Sequence, residues 1–183
     1  RLEDPVRQLC SVSVGIAVVA GAGGRLVDAQ GQPPPDRPAV TVRGQTYTPR
    51  SILARNMGTD ADQTTAFPPH RVIGNIHYVG TRTLSSFLVT TPQGHILFNT
   101  TYERNLPVIE KSIADLGFKI EDVRIILGTH AHGDHQEGDA AAKEKSGAQV
   151  MAMAEDVPAL QAMRPGGKEH PIDRVLKDGD VVS

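Results

Sequence analysis

Between residues 130 and 135 the chain reads His-Ala-His-Gly-Asp-His, four side chains with nitrogen or oxygen donors for a metal ion, separated only by the two smallest residues. His130 and His132 alternate on a segment leaving a strand, where alternate side chains share a side, so both imidazoles can reach one ion. Past Gly133, whose missing side chain is expected to let the backbone fold tightly, Asp134 and His135 can face a second ion beside the first. The set holds no thiolate, which suits Zn(II) best, with Fe and Mn as alternative occupants. Two such cations acidify a water held between them to a hydroxide nucleophile near neutral pH, polarise a carbonyl and stabilise the oxyanion that forms on attack. Asp134 is the candidate catalytic group, because a carboxylate that is both ligand and hydrogen-bond acceptor can orient that water. The chemistry is metal-assisted hydrolysis, and no Gly-x-Ser-x-Gly elbow or phosphate loop competes with it.

The weight lies on the cluster and not on any one histidine, since a lone loop histidine is usually a solvated or capped residue. His70, His77 and His95 fall at a linker edge or in early strands, and His170 in a loop of Gly, Pro and Lys. These four are read as structural or solvated, and none is assigned as a ligand. The single cysteine, Cys10, excludes an internal disulfide and a cysteine-based zinc cage. Lys and Arg number 19 against 21 Asp and Glu, and the basic residues are scattered, so no nucleic-acid footprint is present.

Something must present the cluster. Val123 to Thr129, "VRIILGT", is a continuous β-branched run of the kind that forms a fully buried strand, and the metal-seeking residues begin at its carboxyl end. That is the edge where α/β sheets place their sites. Upstream, Val72 to Val79, Thr83 to Thr90 and His95 to Asn99 read as strands of an antiparallel meander, with Thr91-Pro-Gln-Gly94 turning between the last two. Ile109, Ile113 and Leu116 recur at helical spacing, behind cap-like Asn105 and Pro107 and ahead of Gly117. After the cluster, "EGDAAAKEKSG" predicts a short helix ended by Gly147, "AQVMAM" a buried strand and "EDVPALQAM" a helix with acids at its positive end. Residues 173 to 183 predict a hairpin turning on Asp178-Gly179. The class is α/β, a mixed sheet covered by helices.

The amino-terminal third differs. Leu9 to Ala22 is apolar, with Arg1 and Arg7 before it and Val27-Asp28-Ala29 after it, so residues 1 to 29 resemble an export signal; a truncated leader or a buried strand is the alternative. The run is too short for a membrane-spanning helix, which needs about 20 residues. Residues 30 to 69 carry proline clusters, "QGQPPPDRP" and "AFPPH", and predict a linker or arm, with the compact domain over 70 to 183. The chain ends at Ser183 in strand-like sequence and reads as a fragment.

His130, His132, Asp134 and His135 together form the His-x-His-x-Asp-His signature, and on it the chain resembles the metallo-β-lactamase superfamily over about residues 70 to 183. The flanking text "IGNIHYVGTRTLSSFLVTTPQGHILFNT", "LGFKIEDVRIILGTHAHGDH", "AMAEDVPAL" and "HPIDRVLKDGD" is similar to the opening half of the subclass B3 β-lactamases. The resemblance implies an αβ/βα sandwich, here roughly its first half, two zinc ions per complete domain, and a periplasmic or secreted enzyme. Its substrate would be a small molecule, a β-lactam whose amide is opened by a metal-bound hydroxide. His130 and His132 would bind one zinc, Asp134 and His135 the other. In the family each zinc takes a further histidine from the second half of the fold, and His170 does not match either. Asn99, in "LFNT", stands where many members carry Asp. Within the same fold, hydrolysis of another ester, thioester or lactone, or an inactive truncated relative, are the alternative readings.

Overall fold

The computed structural model describes residues 38–182. The expected export signal and Cys10 lie outside the described residues. Where proline content predicts a linker or arm, local structure forms first. Strands β1 (Val40–Val42) and β2 (Gln45–Tyr47) make a hairpin around Arg43-Gly44, and helices α1 (Pro49–Met57) and α2 (Asp60–Thr64) follow. Neither helix contains a buried residue, so packing does not explain them; reciprocal capping does, Thr48 with Ser51 and Thr59 with Asp62. Polar contacts then tie α2 and its carboxyl-terminal flank to the main domain. Arg104 pairs with Asp60 at 2.9 Å, Asn105 Nδ2 donates to the Gln63 carbonyl at 3.0 Å, and the Arg82 amide donates to the Thr65 carbonyl at 3.0 Å.

The remaining strands form one seven-stranded sheet in chain order: β3 (His70–Ile73), β4 (Ile76–Tyr78), β5 (Phe87–Val89), β6 (His95–Phe98), β7 (Val123–Leu127), β8 (Gln149–Met153) and β9 (Arg174–Leu176). Pairing is antiparallel through β6 and parallel from β6 to β9. The mixed α/β sheet expected from the sequence is thus observed. Two local expectations change. The single strand over 72–79 is a hairpin, because Gly74 adopts φ +54 and Ile73 pairs with Ile76 across a two-residue Gly-Asn turn. The turn at Asp178-Gly179 forms, with the Asp180 amide donating to Lys177 at 3.0 Å, but no second strand comes after it among the described residues. Instead β9 spends its hydrogen bonds on a parallel pairing with β8.

Helices α3 (Leu106–Asp115) and α5 (Asp139–Ser146) lie on one face, with the single turn α4 (Gly133–Gln136) just before α5 and α6 (Val157–Met163) after β8. Ile109 and Ile113 of α3 and Ala142 of α5 pack with Val79, Leu88, Leu97, Val123, Ile126 and Val150, all of them 0% exposed. Burying each of the larger side chains stabilises by roughly 1.5–3 kcal/mol, which makes this face the core that holds the sheet together. The opposite face has a smaller cluster of Ile125, Met151 and Leu176. Asn105, which the sequence suggests as a cap for α3, makes no capping bond; its amide is used on Gln63 and on Thr101 Oγ1 at 3.1 Å. Among the described residues no helix is long and apolar enough to cross a membrane.

Candidate metal centre

Because β6 and β7 are parallel neighbours, their carboxyl ends emerge side by side, and the segments that leave them are forced together. From β7 the chain passes Gly128 and Thr129 into His130. Gly128 cannot be another residue without rearrangement: a Cβ there would sit inside the buried side chain of Gln136. Gly133 is a different case. It is the first residue of α4, it is not among the positive-φ residues, and a Cβ would meet Glu137 Oε2 at 3.4 Å and Tyr102 Cε1 at 3.6 Å, ordinary contacts. The expectation that Gly133 permits the tight bend is therefore corrected; the bend is a helical turn in which the amides of His135 and Gln136 both donate to the His132 carbonyl at 3.0 Å.

The turn is held from two sides. On the β6 side, Asn99 and Thr101 take left-handed conformations, φ +59 and +57, which cost non-glycine residues roughly 1–2 kcal/mol each. Asn99 then accepts the Thr129 amide on Oδ1 at 2.9 Å while its own amide donates to the Leu127 carbonyl at 2.8 Å. The Thr101 amide donates to the His135 carbonyl at 3.0 Å, and the Gly138 amide returns to the Thr101 carbonyl at 2.9 Å. On the β8 side, Asp156 accepts the Ala131 amide at 3.3 Å. Thr101 and Thr129 are not singled out by sequence spacing, their signal being the adjacency of "LFNT" and "LGT" once their strands are paired, and Asp156 shows in the sequence only as one of the acids that open "EDVPALQAM".

The four candidate ligands fall into two facing pairs. His130 Nε2 lies 3.0 Å from His132 Nδ1, and Asp134 Oδ2 lies 3.5 Å from His135 Nε2. Two donors each about 2.0–2.1 Å from a tetrahedral zinc stand about 3.3–3.4 Å apart, so both separations are close to those of two ligands sharing an ion. The rings of His130 and His135 are 4.1 Å apart between centroids, which brings the pairs next to each other. No three His, Cys, Asp or Glu side chains among the described residues converge on one metal position, so each pair offers two donors. Nitrogen and carboxylate donors of this kind fit zinc. The His135 pKa is lowered by burial, with Asp134 pushing it up and His130 and His132 pushing it down; the net favours the neutral imidazole that ligates metal. Beside the pairs the Tyr102 phenol is raised by burial and by the charges of Asp134 and Glu137, against Arg104, and so keeps its proton.

The other histidines serve packing. His77 and His95 meet the Phe118 ring edge to face at 5.1 and 5.3 Å, and His70 stacks on Tyr78. His170 is buried, not solvated: its Nε2 lies 3.1 Å from the Gln136 carbonyl and 3.3 Å from Asp139 Oδ2, and Thr100 donates to the other Asp139 oxygen at 2.7 Å. Cavities of about 290 and 170 Å³, one against β2 and α1, the other between α5 and Pro165, are lined by none of the four candidate ligands. His132 itself is exposed.

Comparison with known proteins gives one matching family model, described as the metallo-beta-lactamase superfamily, over residues 79–180. Among solved structures, BJP-1, a subclass B3 metallo-β-lactamase of Bradyrhizobium japonicum, is 37% identical over 67% of this chain and 50% of its own, with a TM-score of 0.61. FEZ-1 metallo-β-lactamase from Legionella gormanii is 40% identical over 66% of this chain and 50% of its own, with a TM-score of 0.60. The metallo-β-lactamase GOB-18 from Elizabethkingia meningoseptica is 32% identical over 69% and 50%, with a TM-score of 0.64. The chain spans about half the length of these solved relatives.

Proposed function

Because this chain belongs to the metallo-β-lactamase superfamily, we propose that it is the amino-terminal portion of a zinc-dependent hydrolase of the B3 type that opens the amide of a small-molecule β-lactam. The observation that carries the reading is the pair of facing donor sets, His130 with His132 and Asp134 with His135, at the carboxyl end of the buried strand β7. His130 Nε2 and His132 Nδ1 would hold one zinc, and Asp134 Oδ2 and His135 Nε2 a second. Bound there, zinc supplies Lewis acidity toward a carbonyl and brings the ionisation of water near neutral pH.

The chain's own residues do the rest. Asp134, partly buried, accepts a hydrogen bond from the attacking water and orients it, a role in which position outweighs pKa. Tyr102 stands beside Gly133 as a neutral hydrogen-bond donor. Two donors fill half of a tetrahedral site, so further donors complete each ion in the whole enzyme, and this chain alone binds zinc weakly. An exported enzyme, periplasmic or secreted, agrees with the apolar run at Leu9 to Ala22.

The test is hydrolysis of a chromogenic cephalosporin by the whole gene product, with and without a chelator. Turnover that the chelator abolishes and zinc restores supports the reading. Zinc-dependent turnover of thioesters or lactones with no action on any β-lactam would reassign the substrate and leave the metal centre standing.

A further inference from the structure

Thr129 precedes the first candidate ligand, and its hydroxyl has three neighbours. Asn99 Oδ1 lies at 3.3 Å, His130 Nδ1 at 3.2 Å and His135 Nδ1 at 3.2 Å. A hydroxyl has one proton to donate and two lone pairs to accept with. The identity of the Asn99 atom is settled by the backbone, since the Thr129 amide, which can only donate, points at it from 2.9 Å; the atom is the amide oxygen. An amide oxygen only accepts, so the one Thr129 proton goes to Asn99. With its proton on Asn99, the hydroxyl offers only lone pairs to the two histidines, and it accepts from each of them when their Nδ1 atoms carry the hydrogen.

A neutral imidazole protonated on Nδ1 has its free lone pair on Nε2. Those are the nitrogens that face the donor pairs: His130 Nε2 toward His132 Nδ1, and His135 Nε2 toward Asp134. We propose that Thr129 is a positioning residue whose single hydroxyl, oriented by Asn99, sets the tautomer of one histidine in each donor pair and so readies both metal positions together. One residue thereby couples two sites that would otherwise be prepared separately. The inference rests on the metal reading above only for its consequence; the proton arrangement is a property of the metal-free chain.

The experiment uses the 183-residue chain in three forms: wild type, Thr129→Val and Thr129→Ser. Valine keeps the shape of threonine without the hydroxyl, and circular dichroism confirms that each variant folds. Long-range proton–nitrogen NMR of the metal-free chain, at about pH 8.5, roughly two units above the ordinary imidazole value, reads the tautomers directly. Wild type and Thr129→Ser are expected to show His130 and His135 protonated on Nδ1, and Thr129→Val to show a mixture at both. Co(II), followed by its visible absorption, is expected to bind Thr129→Val about tenfold or more weakly than wild type, with Thr129→Ser close to wild type. Nε2 protonation of either histidine in wild type, or a valine variant with unchanged tautomers and unchanged Co(II) affinity, overturns the proposal. Wild type with the expected tautomers but no Co(II) binding would show that the two donor pairs hold no metal by themselves while upholding the hydrogen-bond assignment.

Discussion

The side-chain oxygen of Asn99 receives the backbone amide of Thr129 at 2.9 Å, so a residue at the end of β6 fixes the start of the metal-seeking segment that leaves β7. Asn99 is 3% exposed and sits at φ +59, a conformation asparagine tolerates better than most residues. Asn99→Gly keeps the backbone geometry and removes the acceptor; Asn99→Ala removes the acceptor and adds left-handed strain. Thermal or urea denaturation is expected to show a loss of about 1–2 kcal/mol for glycine and about 1–2 kcal/mol more for alanine. Equal losses in the two variants would mean that the left-handed backbone is not retained.

Gly128 and Gln136 occupy space that only one of them can fill with a side chain. Gly128→Ala is expected to destabilise by about 2–3 kcal/mol, and Gln136→Ala in the same chain to recover most of that loss, a coupling a double-mutant cycle measures directly. Gly133→Ala, by contrast, is expected to change stability by less than about 0.5 kcal/mol, since its Cβ meets only ordinary contacts. A large effect at Gly133 with none at Gly128 would reverse the account of how the bend forms.

The buried pair of His170 and Asp139 makes stability depend on pH. Burial lowers the His170 pKa, but the hydrogen bond and charge of Asp139 outweigh it and leave the value above the ordinary 6.5. The Asp139 carboxyl is raised by burial against the hydrogen bonds from His170 and Thr100. Both shifts have the same sign: the folded chain binds more protons than the unfolded one. The histidine contribution is complete below pH 6.5 and is lost as pH rises through the folded value. Melting temperatures are therefore expected to fall from mildly acidic to alkaline pH more steeply for the wild type than for the Asp139→Asn, His170→Gln double variant. Parallel profiles would show that the pair holds no extra proton.

Zinc itself should stabilise the chain through whatever donors the two pairs offer, because a ligand that binds only the folded state raises its stability by mass action. Added Zn(II) is expected to raise the melting temperature and a chelator to reverse it. His132→Ala and Asp134→Asn, which each remove one member of a different pair, are expected to reduce the shift in part, and the two together to abolish it. A zinc-induced shift that survives in the combined variant would place the ion elsewhere.

How much of the fold and the site is legible in the sequence depends on which interactions are local. The donor set of His130, His132, Asp134 and His135 is visible because all four lie within six residues, and the strand behind them is visible because Val123 to Leu127 is uniformly apolar apart from Arg124. The helix over Leu106–Asp115 shows in its own spacing of Ile109 and Ile113. Capping boxes at Thr48 and Thr59 are equally local, but the prolines around them obscure the signal. What the one-dimensional order cannot display is contact across the sheet. Asn99 meets Thr129 from 30 residues away, Asp156 meets Ala131 from 25, and His170 meets Gln136 from 34. Those partners exist only because β6, β7 and β8 run parallel and end together. The sequence thus determined which atoms could bind a metal, while tertiary structure decided which backbone is held, which glycine is indispensable and which polar groups face each imidazole.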